Sequence, residues 1–254
     1  MRRATSLLAW LTLCASLTAP ARGASSARLH VAFLPERLGE GTTVEFNAQI
    51  VESHARIPPP LTELDVRYPD QLGVAVSDLG ATTCSRKKLE AAGPEGCPAD
   101  SHMGEGSALA EIPIGPEIIR ETARVAIFRA PEHEEHLELL FYATGETPVS
   151  AQITFTGSLL PAPPPYGAQL HIDVPLVPSL PGGPYVSVVR IHAAIGPRGL
   201  TYYQRVRGRR IAYKPRGILL PDECPRGGFP FDAIFGFLDG TSTSAYTSVR
   251  CPTS

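Results

Sequence analysis

The residues best suited to chemistry fall into a few stretches, and each has a specific deficit. Ser85-Arg86-Lys87-Lys88 has the Ser-x-x-Lys spacing of penicillin-interacting serine enzymes, which places a lysine one helical turn from a nucleophile. The second motif and the Lys-Thr-Gly strand that such a nucleophile needs do not occur, so the lysines read as a solvated helix face. Pro131-Glu132-His133-Glu134-Glu135-His136 is dense in metal-ligand types. Its histidines are three apart, not the four that align two imidazoles on a helix. On a strand that spacing sends them to opposite faces, so the stretch reads as a charged loop tip and no metal is expected. Asp65, Asp70, Asp173, Asp222, Asp232 and Asp239 are scattered; two of them would have to meet in space to serve as a glycosidase pair. There is no Gly-x-Ser-x-Gly elbow and no calcium loop, so no catalytic residue and no cofactor are assigned.

The run from Tyr202 to Lys214 interleaves aromatic and cationic residues. Strand parity puts Leu200, Tyr202 and Val206 on one face and Tyr203, Arg205 and Arg207 on the other. Tyr203 with Arg205, Arg207, Arg209 and Arg210 would present to an anionic polymer or glycan of a cell envelope. The competing reading is that the arginines keep an exposed sheet edge from sticking to other chains. Trp10, the only tryptophan, lies in the N-terminal segment expected to be cleaved, so a sugar-stacking surface would have to use Tyr142, Tyr166, Tyr185 or Tyr203.

These side chains depend on a scaffold whose origin is legible at the N-terminus. Met1-Arg2-Arg3, an apolar run over 7–17 and the small residues Ala19, Ala21, Gly23 and Ala24 form a secretory signal peptide, residues 1–24. Leu13 stands where a lipidation box before Cys14 needs a small residue, so general export is expected. No later stretch reaches the roughly 18–20 apolar residues of a membrane helix. Arg2, Arg3 and Arg22 leave with the signal, taking the formal charge from −2 to about −5, which argues against nucleic acid as partner. Four cysteines remain, Cys84, Cys97, Cys224 and Cys251. In an oxidising compartment they imply two disulfides, with neighbour pairing expected because each pair brackets one local unit.

Residues 85–92 are good helix formers followed by Gly93 and Pro94, a helix stop. A helix of two turns is unstable alone, and a Cys84–Cys97 bond would staple it. Period-two apolar alternation marks strands at 29–34, 42–51, 64–68, 108–114, 123–128, 137–143, 149–159, 186–194, 200–206, 209–214, 229–238 and 241–249. Gly39-Glu40-Gly41, Arg207-Gly208 and Asp239-Gly240 are the hairpin turns. The Pro-rich crossing 161–184 is expected to hold an edge strand near 170–174. Short strands with Gly and Pro turns mean a single all-β domain over 25–254, an antiparallel β-sandwich of jelly-roll type with one disulfide-stapled helix.

The run Cys84...Leu89...Gly93...Cys97-Pro98-x-x-Ser101-x-x-Gly104 and the ending Cys224-Pro225-x-Gly227-Gly228-Phe229-x-Phe231...Phe237-x-Asp239-Gly240...Cys251 resemble a pattern in uncharacterised exported β-rich proteins of actinobacteria. The resemblance implies export and disulfides and carries no activity. The expected function is a non-catalytic structural or binding protein, secreted or associated with the cell envelope. A carbohydrate-binding module using tyrosine in place of tryptophan is the second reading, and a glycoside or ester hydrolase with an unrecognised site is the third.

Overall fold

The structure, a computed structural model, describes residues 25–53, 57–73, 78–145 and 150–252. The expected signal peptide, with Cys14, lies outside them. Fourteen strands are present among the described residues: β1 (Ser25–Leu34), β2 (Gly41–Glu52), β3 (Leu61–Pro69), β4 (His102–Ile114), β5 (Glu117–Arg129), β6 (Glu138–Gly145), β7 (Ala151–Pro161), β8 (Tyr166–Asp173), β9 (Ser187–Ile195), β10 (Tyr202–Val206), β11 (Arg209–Tyr213), β12 (Ile218–Leu219), β13 (Phe229–Phe237) and β14 (Ser242–Val249). Between β3 and β4 lies one α-helix, α1 (Arg86–Ala92).

The strands do not divide into two facing sheets as a sandwich requires. Eleven of them follow one hydrogen-bonded path, β1-β2-β9-β4-β5-β6-β7-β8-β3-β13-β14, which curls until β1 and β14 lie side by side. The sheet is therefore a nearly closed antiparallel barrel. Its seam has a topological cause. Every neighbouring pair on the path is antiparallel, so with an odd number of strands the first and last run in the same direction. They can meet only as a parallel pair, the slightly weaker arrangement, and no ladder joins them among the described residues.

The Pro-rich crossing corrects a second expectation. β8 is no edge strand: it pairs with β7 on one side and β3 on the other. Tyr166 to Asp173 contains no proline, and the surrounding prolines fall at the end of β7, in the turn and after β8. Every β8 amide needed for a ladder is thus present.

Both disulfides join sequence neighbours, Cys84–Cys97 and Cys224–Cys251, with Cα atoms 5.4 and 6.0 Å apart. α1 is capped by Ser85, whose side chain accepts from the Lys88 amide at 3.4 Å, and it ends on Gly93 at φ 64°. It lies on the outer face of the barrel, burying Leu89 against Phe128, Leu140 and Tyr142. Strand alternation makes this possible: Leu139 and Phe141 of β6 point into the barrel while Leu140 and Tyr142 point out under the helix. One end of the barrel is closed by Leu72, Leu79, Leu200, Tyr202, Ile218 and Leu220. Tyr202 is the anchor there, fully buried, its hydroxyl donating to the His102 carbonyl and accepting from the Gly80 amide at 3.1 Å. Burial pushes its pKa up to about 12, so it stays a neutral donor.

Candidate functional site

Around eight strands give a barrel interior that side chains fill or that holds one small ligand, and diameter grows with strand number. Eleven strands enclose more room, and this sequence leaves part of it empty. On β13 the inward residues Phe229, Phe231, Phe235 and Phe237 are buried, and Phe229 meets Phe33 of β1 edge to face at 5.1 Å. On the opposite wall the inward positions carry small residues: Gly106, Ala108 and Ala110 on β4, Ala123 on β5, Ala143 on β6 and Ala193 on β9. The result is a cavity of about 310 Å³ that reaches from that wall across to Leu64 and Val66 of β3 and Phe231 of β13. Its larger lining residues, among them Val125, Phe155, Leu159 and Leu170, are only partly buried because they face this void.

Gly104 and Gly106 shape the same wall. A Cβ at either would stand 2.1 Å from the Ala194 carbonyl oxygen or 2.5 Å from that of His192. The two glycines therefore let β4 lie against β9 more closely than any side chain would allow.

Tyr68, Glu121 and His192 are the titratable side chains among the described lining residues. Tyr68 belongs to the end of β3 near the Tyr202 cap, and burial pushes its hydroxyl up to about 12. Glu121 belongs to the opposite end, on β5 across from Ala110. His192 alternates with the inward residues of β9 and its Nδ1 lies 2.9 Å from Asn47 Oδ1, so the lumen is an apolar tube with one neutral hydroxyl and one acid at its two ends. Charged side chains such as Arg120, Arg124, Asp65 and Arg67 stand outside. Transmembrane barrels have the opposite sidedness, an apolar exterior around a polar lumen.

The scattered carboxylates do partly converge, on the outer face of β3, β8 and β13. His171 Nδ1 is 2.7 Å from Asp65 Oδ1 and 3.8 Å from Glu63 Oε1, and its Nε2 is 3.6 Å from Asp173. Gln169 donates to Asp65 at 2.8 Å and accepts from Arg67, which also faces Asp232 at 3.6 Å. Burial alone would lower the His171 pKa, but the Asp65 hydrogen bond and the charges of Asp65, Asp173 and Glu63 outweigh it and hold it above the ordinary value. Glu63, Asp65 and His171 are the closest approach to a metal-ligand set among the described residues. Ligand atoms sharing one tetrahedral zinc at about 2.1 Å stand more than ~3 Å apart. At 2.7 Å the His171–Asp65 pair is a hydrogen bond, and the cluster reads as a polar ladder that ties three strands.

The remaining candidates separate. The Ser85 side chain is spent on capping α1. His133 and His136 do not point to opposite faces: Glu134 and Glu135 turn the chain at φ 50° and 66°, and the two histidines exchange backbone hydrogen bonds as a cross-strand pair. A left-handed two-residue turn supplies the bend that strand parity omits. Tyr142 is buried under α1, and Tyr185 precedes β9 at the barrel end opposite Tyr166 and Tyr203, so the four tyrosines form no common platform. Asp70, Asp222 and Asp239 lie in connections and are not brought together with Asp65. The basic stretch forms a separate two-stranded sheet, β10-β11. Arg205 faces Arg210 with Tyr203 beside them; Arg209 pairs with Val206 on the other face, and Arg207 sits in the turn.

The lumen itself is absent from the motif reading. Its signal is faint: alanines at 108, 110, 123, 143, 151 and 193 occupy the apolar phase of their strands, where valine or isoleucine is the usual filler. Comparison with known proteins finds no matching protein family, curated protein or solved structure.

Proposed function

We propose that this chain is an exported, non-catalytic binding protein that holds one apolar small molecule in its barrel. The observation that carries this reading is the cavity of about 310 Å³ lined by alanine, glycine and aliphatic side chains. Voids are costly: at about 24 cal/mol per Å³ one of this size forfeits several kcal/mol, a large part of a typical net stability of about 5–15 kcal/mol. Swapping a few alanines for valine or leucine would remove that cost, so keeping them serves the space. The volume falls at the lower end of the roughly 300–1,000 Å³ of small-molecule sites. That fits a single hydrocarbon chain or a compact ring system better than a sugar, whose hydroxyls would find few partners in the lumen. The two disulfides support export to an oxidising compartment.

The test is saturable binding. The folded, disulfide-bonded chain is extracted with organic solvent for mass spectrometry of co-purified apolar molecules, then stripped and titrated with a neutral apolar fluorophore. One-to-one binding with a raised thermal midpoint is expected. A folded, stripped protein that shows no saturable uptake refutes the reading.

A further inference from the structure

The β10-β11 hairpin stands apart from the barrel sheet, and residues 203–212 are all exposed. Two-stranded hairpins are marginal in water; this one is rooted by buried Tyr202, which meets Tyr213 edge to face at 5.7 Å. Its turn, Arg207 at φ 50° and Gly208 at φ 79°, has the left-handed geometry of a tight hairpin. The rest of the hairpin does little for the fold. Arg205 and Arg210 are set directly opposite each other, a destabilising arrangement of like charges. Among the described residues no carboxylate comes within 4.0 Å of Arg205, Arg207, Arg209 or Arg210. The Arg210 guanidinium lies 3.7 Å over the Tyr203 ring. On the reverse face Val206 and Ile211 are diagonal neighbours, 41% and 44% exposed.

Three explanations of the arginines can be separated by these two apolar residues. Edge protection accounts for the charge but gives no role to the neighbouring pair of half-exposed aliphatics, Val206 and Ile211. A soluble polyanion would likewise be met by the arginines alone. An anionic lipid surface meets both faces when the projecting hairpin enters it turn first: the flexible guanidinium groups reach back to the phosphates, while Val206, next to the turn, and Ile211 behind it, on the face opposite Arg205 and Arg210, lie at the boundary of the acyl chains. We infer that the β10-β11 hairpin docks the protein on a negatively charged lipid surface through Arg205, Arg207, Arg209 and Arg210, with Val206 and Ile211 as shallow apolar anchors. This inference is independent of what the lumen holds.

Co-sedimentation of the full disulfide-bonded chain with vesicles of phosphatidylcholine, alone or mixed with phosphatidylglycerol, tests it. Binding is expected to the mixed vesicles only and should weaken as salt is raised. At about fivefold per arginine, Arg205→Gln with Arg210→Gln should lower partitioning roughly 25-fold. Val206→Ser with Ile211→Ser should lower it at constant charge. All four positions are exposed, so neither variant's thermal midpoint should fall below the parent's, and loss of the opposed Arg205 and Arg210 charges should leave it equal or slightly higher; the salt dependence of the parent is a readout that needs no variant. Absence of selectivity for phosphatidylglycerol overturns the proposal, as does binding that survives loss of both arginines. Equal retention on a soluble polyphosphate, insensitive to the serine pair, overturns it too and assigns the hairpin to a polymer.

Discussion

The same substitution should have opposite effects in the two halves of the barrel. Ala108 of β4 and Ala143 of β6 border the cavity, whereas Ala233 of β13 is fully buried among the phenylalanines. Alanine to leucine adds three carbons. At about 0.8 kcal/mol per buried methylene, filling empty space is worth up to ~2.4 kcal/mol. Ordering the leucine rotamer returns about 0.5–1 kcal/mol of that. A net gain of about 1.5 kcal/mol is expected for Ala108→Leu or Ala143→Leu, or roughly 3–6 °C in a chain of this size. Ala233→Leu enters a packed region and should cost about 1–3 kcal/mol. The assay pairs thermal and urea unfolding with titration of the apolar fluorophore, whose affinity should fall in the two lumen variants because the leucines occupy its space. If Ala108→Leu and Ala143→Leu both destabilise and leave fluorophore binding untouched, the lumen is not the site and the argument from small residues fails.

Other consequences are as direct. Replacing Cys84 and Cys97 with serine should cost about 3 kcal/mol for a loop of 13 residues, and the Cys224–Cys251 loop of 27 about 3.5 kcal/mol, measured as shifts in the urea midpoint under oxidising conditions; parent-like midpoints in both would refute the crosslink reading. Glu134→Asn with Glu135→Gly should stabilise by about 1 kcal/mol, since both positions have positive φ and the pair is the favoured turn sequence there. His171 gives a pH signature. Its folded pKa is raised, so its contribution is complete below the unfolded value of about 6.5 and disappears as pH rises through the higher folded pKa. His171→Gln should flatten the stability-against-pH curve in that window; an unchanged curve would show that the Asp65 contact carries no linkage.

Much of the fold is legible locally because its determinants are local. The period-two runs of β13 and β14 and the Asp239-Gly240 turn between them are within reach of one another, and the structure pairs them from Phe229↔Val249 to Gly236↔Ser242. Ser85 and Gly93 mark the two ends of α1 by the chemistry of caps. The errors arise where the partner is distant. Nothing near β8 says whether one or both of its edges will be covered, because β3 lies about a hundred residues earlier. His133 and His136 are only three apart, and there the missing information is in the backbone: strand parity holds only without a bend, and the positive φ of Glu134 and Glu135 has no composition signal. Asp65 and His171 are 106 residues apart, so their contact has no spacing to read.

Two short-range disulfides and an antiparallel all-β body follow from residue order alone, since a cysteine bracket and a strand's alternation each act over a few to a few tens of residues. Whether those strands would face one another as two sheets or close as one was decided by long-range pairings, β2 with β9 and β3 with β13. An alanine looks the same in a tight core and beside a void; only the curvature of eleven strands, with phenylalanines crowding one side, determines which it is.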